Sequence, residues 1–132
     1  MLNVLYEKEI RMSKTVTIER IVERSHLASQ MKSGSLDVLA TPQMIAWMEE
    51  ASCQVLDLEE GMTSVGTLMQ VSHDKASPLG AKIRIVSTLT EQDGRKLKFH
   101  VEAFQENACI GKGEHERFIV QAEKFLKKTY GQ

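Results

Sequence analysis

Glu49, His73 and Thr41 are the residues of this chain best suited to chemistry by type and position. At about 100° per helical residue, Glu49 sits on the shoulder of an apolar stripe formed by Met44, Ile45, Met48, Ala51, Ser52, Val55 and Leu56. A carboxyl group half out of water resists ionisation and serves as base or nucleophile near neutral pH. A boundary glutamate that simply reaches water is the competing reading. Glu50 points about 100° further round, to the polar face with Asp57. His73 closes an alternating run, Val65, Thr67, Met69, Val71, just before the loop Asp74–Gly80. That position suits an acid–base group, and it suits a hydrogen-bonded structural histidine equally well. Thr41 is placed to cap the helix that follows, and a helix N-terminus offers unpaired N–H groups to an acyl oxygen or a phosphate. Gly66 interrupts a strand, which marks either a bulge or the close approach of a ligand.

Other reactive residues form no constellation. His26 lies in an irregular stretch, His100 on the face opposite Phe99 and Val101, and His115 at the start of a strand within Gly113-Glu114-His115-Glu116-Arg117. There is no HExxH and no CxxC, and Cys53 and Cys109 lack spaced partners, so no metal site is expected. GxGxxG, GxxxxGK[ST] and GxSxG are also absent, which removes the dinucleotide, P-loop and serine-elbow chemistries.

The elements that must hold these residues follow from the pattern. Pro42 near the helix start, the Ala and Met enrichment after it and Gly61 beyond predict one long helix from about Pro42 to about Leu58, with Trp47 near the edge of its stripe. Its apolar arc is wide enough to be wrapped by other structure. Thr15–Glu19 reads as a short strand, Ser25–Lys32 as one or two helical turns, and Ser33–Ser35 as a loop. Thr63–His73 and Lys82–Thr90 read as strands, the second with Ile83, Ile85, Ser87 and Leu89 on one side. Asp93-Gly94 predicts a tight turn with positive φ at both positions, leading into a strand with Leu97, Phe99, Val101 and Ala103. Asn107–Gly113 reads as a second turn region, followed by a strand with Glu116, Phe118, Val120 and Ala122 and a polar tail from Lys124. The expected fold class is α+β: an antiparallel sheet, four of its strands consecutive and meander-like, curled round one long helix. One helix cannot cover both faces of such a sheet, which suggests a partner subunit.

Composition narrows the class. The chain has 132 residues, 17 Lys and Arg against 18 Asp and Glu, and a net charge of −1. That size predicts one domain over residues 1–132, with residues 1–14 a loosely ordered extension and Met12 a second candidate start. The neutral balance argues against nucleic acid and anionic membranes as partners. No apolar run approaches the ~20 residues of a spanning helix. Two cysteines, seven methionines and no signal-peptide pattern suit a cytoplasmic protein.

Taken in order, Val38-Leu39-Ala40-Thr41-Pro42, Met48-Glu49, Thr63-Ser64-Val65-Gly66, Val71-Ser72-His73 with Pro78-Leu79-Gly80, and Gly113-Glu114-His115-Glu116-Arg117 resemble the hotdog-fold thioesterases related to fluoroacetyl-CoA thioesterase. The resemblance spans roughly Thr15 to Phe125. It implies a hotdog fold and an acyl-CoA thioester hydrolase, usually a dimer with its sites between subunits. The family's catalytic threonine, glutamate and histidine fall on Thr41, Glu49 and His73. Its strand glycine close to the acyl group falls on Gly66, and its HER motif on His115-Glu116-Arg117, with Arg117 holding or framing the CoA side. The expected substrate is a small or medium acyl-CoA and the expected assembly a homodimer. No cofactor is expected, since CoA is part of the substrate. The family's fluoroacetate-specific member has a longer, aromatic-rich segment before the helix. Here Gln30–Asp37 contains no Phe or Tyr, so fluoroacetyl selectivity does not carry over. The alternatives are a non-catalytic acyl-CoA binding or sensing module on the same fold and a hotdog hydratase or dehydratase, the latter without a motif of its own.

Overall fold

A computed structural model describes residues 14–132. The expectation of an extension at the N-terminus and the choice between Met1 and Met12 concern residues outside that range, apart from Lys14. Strand β1 (Thr15–Ile21) leads through a 3-10 turn (Arg24–His26) and a short helix α1 (Ala28–Met31) to the long helix α2 (Thr41–Val55). Strands β2 (Met62–His73), β3 (Lys82–Asp93), β4 (Lys96–Gln105) and β5 (Ala108–Gln121) follow, and helix α3 (Ala122–Thr129) ends the chain.

The five strands make one sheet in the order β1-β3-β4-β5-β2, every neighbouring pair antiparallel. The meander is therefore three strands long, β3-β4-β5. β2 does not lie beside β3, as four consecutive meander strands require, but on the far side of β5 at the edge. Helix α2 covers one face. Met44, Trp47, Met48, Ala51, Ser52 and Val55 are its buried residues, at the helical spacing that brings them to one stripe. Trp47, expected near the edge, is inside it. His26 stands edge-on to its ring at 5.0 Å, while Ile45 and Leu56 are only half-buried. Opposite them, Ile83, Ile85, Ser87 and Leu89 of β3 and Leu97, Phe99, Val101 and Ala103 of β4 point inward in strict alternation. At the centre the Ser52 hydroxyl lies 2.8 Å from both the Met48 carbonyl and the Ser87 hydroxyl, tying helix to sheet.

Other boundaries differ from expectation for local reasons. Helix α2 ends at Val55, with Leu56 already extended, and not at the Gly61 stop. Asp93 still pairs with Lys96, so the β3–β4 turn is Gly94-Arg95 with positive φ at Gly94 alone, as in a type II′ hairpin. The next turn is Glu106-Asn107, Glu106 taking the positive φ, and the supposed turn Asn107–Gly113 is mostly strand. Gly111 and Gly113 belong to β5 because β2 presses on them. An added Cβ would meet the Ser72 carbonyl oxygen from Gly111, and the Gln70 carbonyl oxygen from Gly113, at contacts no real Cβ makes. The polar tail is helical: the Gln121 side chain accepts from Lys124 N–H at 2.7 Å, Glu123 lies in the first turn, and Lys127 and Lys128 lie in the last, complementing the helix dipole.

Candidate active site

The candidate residues gather into two groups along β2. The first joins the start of α2 to the end of β2. Thr41 is the first residue of the helix, and Ala40 holds the cap position. Thr41 therefore does not cap the helix. Its hydroxyl is turned to His73, with Oγ1 and Nδ1 2.7 Å apart. The other ring nitrogen of His73, Nε2, is buried and has no hydrogen-bond partner among the described residues. Burial lowers the His73 pKa below the ordinary histidine value, against the raising effects of the Asp74 charge and the Lys75 backbone. A neutral imidazole is the form able to take a proton. A cavity of about 210 Å³ opens over the pair, walled by Ala28, Val38, Asp74 and Lys75 among others.

The second group sits two turns further along the helix. Glu49 Oε2 lies 3.3 Å from Arg117 Nη1. Arg117 is deeply buried, its side chain 8% exposed, against 43% for Glu49. Its Nε donates to the Ser64 hydroxyl at 2.8 Å and its Nη2 to the Ser64 carbonyl at 3.0 Å. Gly66 lies directly beneath. A Cβ there would come within 2.9 Å of Glu49 Oε2 and 3.4 Å of Arg117 Nη1. Another cavity of about 210 Å³ is lined by Glu49, Gly66, Leu68, Met69 and His115.

The backbone explains why Gly66 and His73, seven residues apart, serve the same face. The ladder between β2 and β5 slips between Gly66 and Leu68, so Thr67 is an extra, bulged residue. Gly66 is opposite Arg117, whereas Val65 is opposite the exposed Phe118. The alternation that grouped Val65 with His73 fails at this point. Gly66 is a neighbour of the bulge, and the group that approaches it closely is the Glu49 carboxylate.

Glu49 and Glu50 are not separated by burial, their side chains being 43% and 42% exposed. Their partners separate them: Glu50 pairs with Arg20 on β1, while Glu49 faces Arg117 and Gly66. The residue that sequence reasoning missed is His115. It lies mid-strand, 1% exposed, between Arg117 and the Leu68 carbonyl. Its signal was inverted patterning in the middle of the strand, where the buried His115 and Arg117 are polar while the apolar Phe118 faces out. No cluster of three or more His, Cys, Asp and Glu side chains suited to a metal occurs among the described residues, and no helix among them is long and apolar enough to cross a membrane.

Thr41 and Glu49 are eight residues apart, or about 12 Å along the helix axis, so the two groups stand apart within one chain. The sequence profile of the fluoroacetyl-CoA-specific thioesterases matches residues 22–123. The chain belongs to that family. It is 36% identical over 95 residues to the fluoroacetyl-CoA thioesterase of Streptantibioticus cattleyicolor, an alignment covering 70% of this chain and 68% of that protein. A solved structure of the fluoroacetyl-CoA thioesterase shares 28% identity and superposes with a TM-score of 0.88, over 92% of this chain and 96% of that one. A variant of it in complex with fluoroacetate and CoA gives 30% identity and a TM-score of 0.81, over 87% and 98%. A thioesterase superfamily member from Thermus thermophilus, at 23% identity and a TM-score of 0.83 over 92% and 94%, shares the fold. The architecture is thus the hotdog fold of these thioesterases, and the chain is a thioester hydrolase of their kind.

Proposed function

We propose that the protein hydrolyses a small or medium acyl-CoA to the free acid and CoA, as a cytoplasmic homodimer whose sites are each assembled from both copies. The observation that carries this reading is the division of the reactive groups: a Thr41–His73 pair at one end of β2 and Glu49 over Gly66 towards the other, on a strand whose outer edge has no partner among the described residues. An unpaired strand edge is a template for a second strand. Antiparallel pairing of β2 with its copy, about a two-fold axis between Gly66 and His73, sets Gly66 and Glu49 opposite the partner's His73. The two incomplete groups then become two complete sites.

In such a site Glu49 either activates the water that attacks the thioester carbonyl or attacks it directly to form a mixed anhydride that water then hydrolyses, and Gly66 leaves room for the acyl group beside it. His73, neutral before reaction, relays the proton that lets the CoA thiolate depart as a thiol, with Thr41 holding the ring by its hydroxyl. Arg117, tied down by Ser64, serves Glu49 rather than reaching out to CoA. CoA is part of the substrate, and this chemistry calls on no further cofactor. The binding of fluoroacetate and CoA by the 30%-identical relative supports an acyl-CoA substrate. The reading stops short of fluoroacetyl, because the stretch 30–37 that reaches the Thr41–His73 cavity through Ser33 has no aromatic side chain. Thiol release measured over acetyl-, butyryl- and octanoyl-CoA tests the proposal. Turnover of at least one, lost in Glu49→Gln, is expected. Binding without release across the panel would leave only an acyl-CoA binding module.

A further inference from the structure

His115 takes no part in the hydrolysis as described, yet its surroundings are built with care. It lies on β5 opposite Met69 of β2 and Phe99 of β4, its ring stacked on that of Phe99 at 5.9 Å. Both ring nitrogens are engaged: Nδ1 is 2.7 Å from the Leu68 carbonyl oxygen and Nε2 is 3.2 Å from Arg117 Nη1. These partners assign the protons. A carbonyl oxygen only accepts and a guanidinium only donates, so Nδ1 carries the hydrogen and Nε2 presents its lone pair. Arg117 is anchored elsewhere by Ser64 through Nε and Nη2. Its remaining nitrogen, Nη1, is shared between His115 and Glu49. Leu68 directly follows the bulged Thr67, so the chain of contacts runs from the bulge to Glu49.

We propose that His115 is a positioning residue for the hydrolysis: fixed in one tautomer by the Leu68 carbonyl, it aims Arg117 and thereby sets where the Glu49 carboxylate stands against the acyl group. The inference rests on Glu49 being catalytic. It carries a pH dependence. A proton on Nε2 replaces an acceptor by a second cation facing the guanidinium. The charged groups bearing on the ring are Glu49 from α2 and Arg117 and Glu116 from its own strand, while β2 offers a carbonyl and β4 a ring. Burial chiefly, with Arg117, lowers its pKa against the Leu68 carbonyl, Glu49 and Glu116. The arrangement therefore fails on the acid side, below the ordinary histidine value.

The test compares His115→Phe, which keeps the ring volume and loses both hydrogen bonds, with His115→Gln, which keeps one donor and one acceptor and does not titrate. With acetyl-CoA and butyryl-CoA, His115→Phe is expected to lower kcat about 10–100-fold with little change in KM, the cost of a displaced catalytic group. His115→Gln should recover most of that loss and flatten the acid limb of the kcat–pH profile. In a Glu49→Gln background, His115→Phe should cost nothing further. Nitrogen-15 NMR of the imidazole in the wild-type protein should show a protonated Nδ1 and an unprotonated Nε2 at neutral pH. A folded His115→Phe protein with normal kcat, an unchanged acid limb in His115→Gln, equal losses with and without Glu49, or the opposite tautomer each overturns the proposal. If His115→Phe does not fold, the His115→Gln profile and the tautomer decide it. Wild-type turnover by Glu49→Gln would overturn the site reading itself. A crippled Glu49→Gln beside a normal His115→Phe would overturn only the role of His115.

Discussion

At the scale of residues, neighbours and not exposure distinguish the two adjacent acids. Glu49→Gln is expected to cut kcat by about 10²–10⁴-fold, the usual contribution of a positioned acid–base group. Glu50→Gln only loses a half-exposed pair with Arg20, and surface pairs of that kind are worth about 0–1 kcal/mol, so turnover should change little. Thiol-release kinetics of the two purified variants check this, and equal effects would contradict the site. His73→Ala tests mechanism. It should lower kcat far more than it raises KM, and remove a limb of the pH–rate profile below the ordinary histidine range, since burial depresses the His73 pKa. An activated aryl thioester expels its thiolate with less help, so it should suffer less than an alkyl acyl-CoA. A well-folded, fully active His73→Ala protein would take His73 out of the chemistry.

At the scale of elements, the hydroxyl bridge between α2 and β3 offers a sharp measurement. Ser52 and Ser87 are both 0% exposed, and Ser52 also donates to the Met48 carbonyl, so removing the Ser52 hydroxyl strands that of Ser87, while removing the Ser87 hydroxyl leaves Ser52 its helix partner. Ser52→Ala should cost about 1–3 kcal/mol, and Ser87→Ala, which leaves no hydroxyl without a partner, about 0.5–1.5 kcal/mol. The double variant should cost less than the sum, because it leaves neither β3 nor α2 with an unanswered hydroxyl towards the other. Denaturant melts of the four proteins test this, and strict additivity would deny the coupling. The elements also show which features of the sequence were legible. The α2 stripe, β3 and β4 were clear, because each buries one apolar face and leaves a polar one, which writes the period into the residue types. β2 and β5 were not. β2 is half-exposed on both faces and carries a bulge that breaks its alternation, and β5 turns His115 and Arg117 inward. Hydrophobic periodicity records burial of apolar side chains, so it is silent where the buried face is polar. Thr41, Glu49, His73 and Gly66 were visible as candidates. Their pairing, Thr41 with His73 and Glu49 with Gly66, was not, because it depends on how β2 lies against α2, which carries no local signature.

At the scale of the whole molecule, the buried His115 and the half-buried His73 tie stability to pH. His73 and His115 both have native pKa values below their unfolded value of about 6.5, so the unfolded chain takes up protons first as pH falls. Their contribution to stability is full above about pH 6.5 and is lost as pH drops through the native values. Thermal melts from pH 7.5 to pH 5 should show a falling midpoint, with a shallower fall in His115→Gln. A midpoint that rises on acidification would reverse the sign and exclude the account. Assembly is measured separately: sedimentation equilibrium should give twice the 14.9 kDa chain mass, and a dilute sample containing only the 14.9 kDa species would refute a site shared between copies.

The bulge at Thr67 also bears on the life of a newly made chain with an open sheet edge. A long unpaired strand that includes the 40%-exposed Leu68 is the kind of surface on which amyloid-like ladders grow. The irregularity divides β2 into two shorter runs, 62–66 and 68–73. A foreign strand that matches one run is out of step with the other. The irregularity beside Glu49 thus also discourages adventitious strands that would seed aggregation.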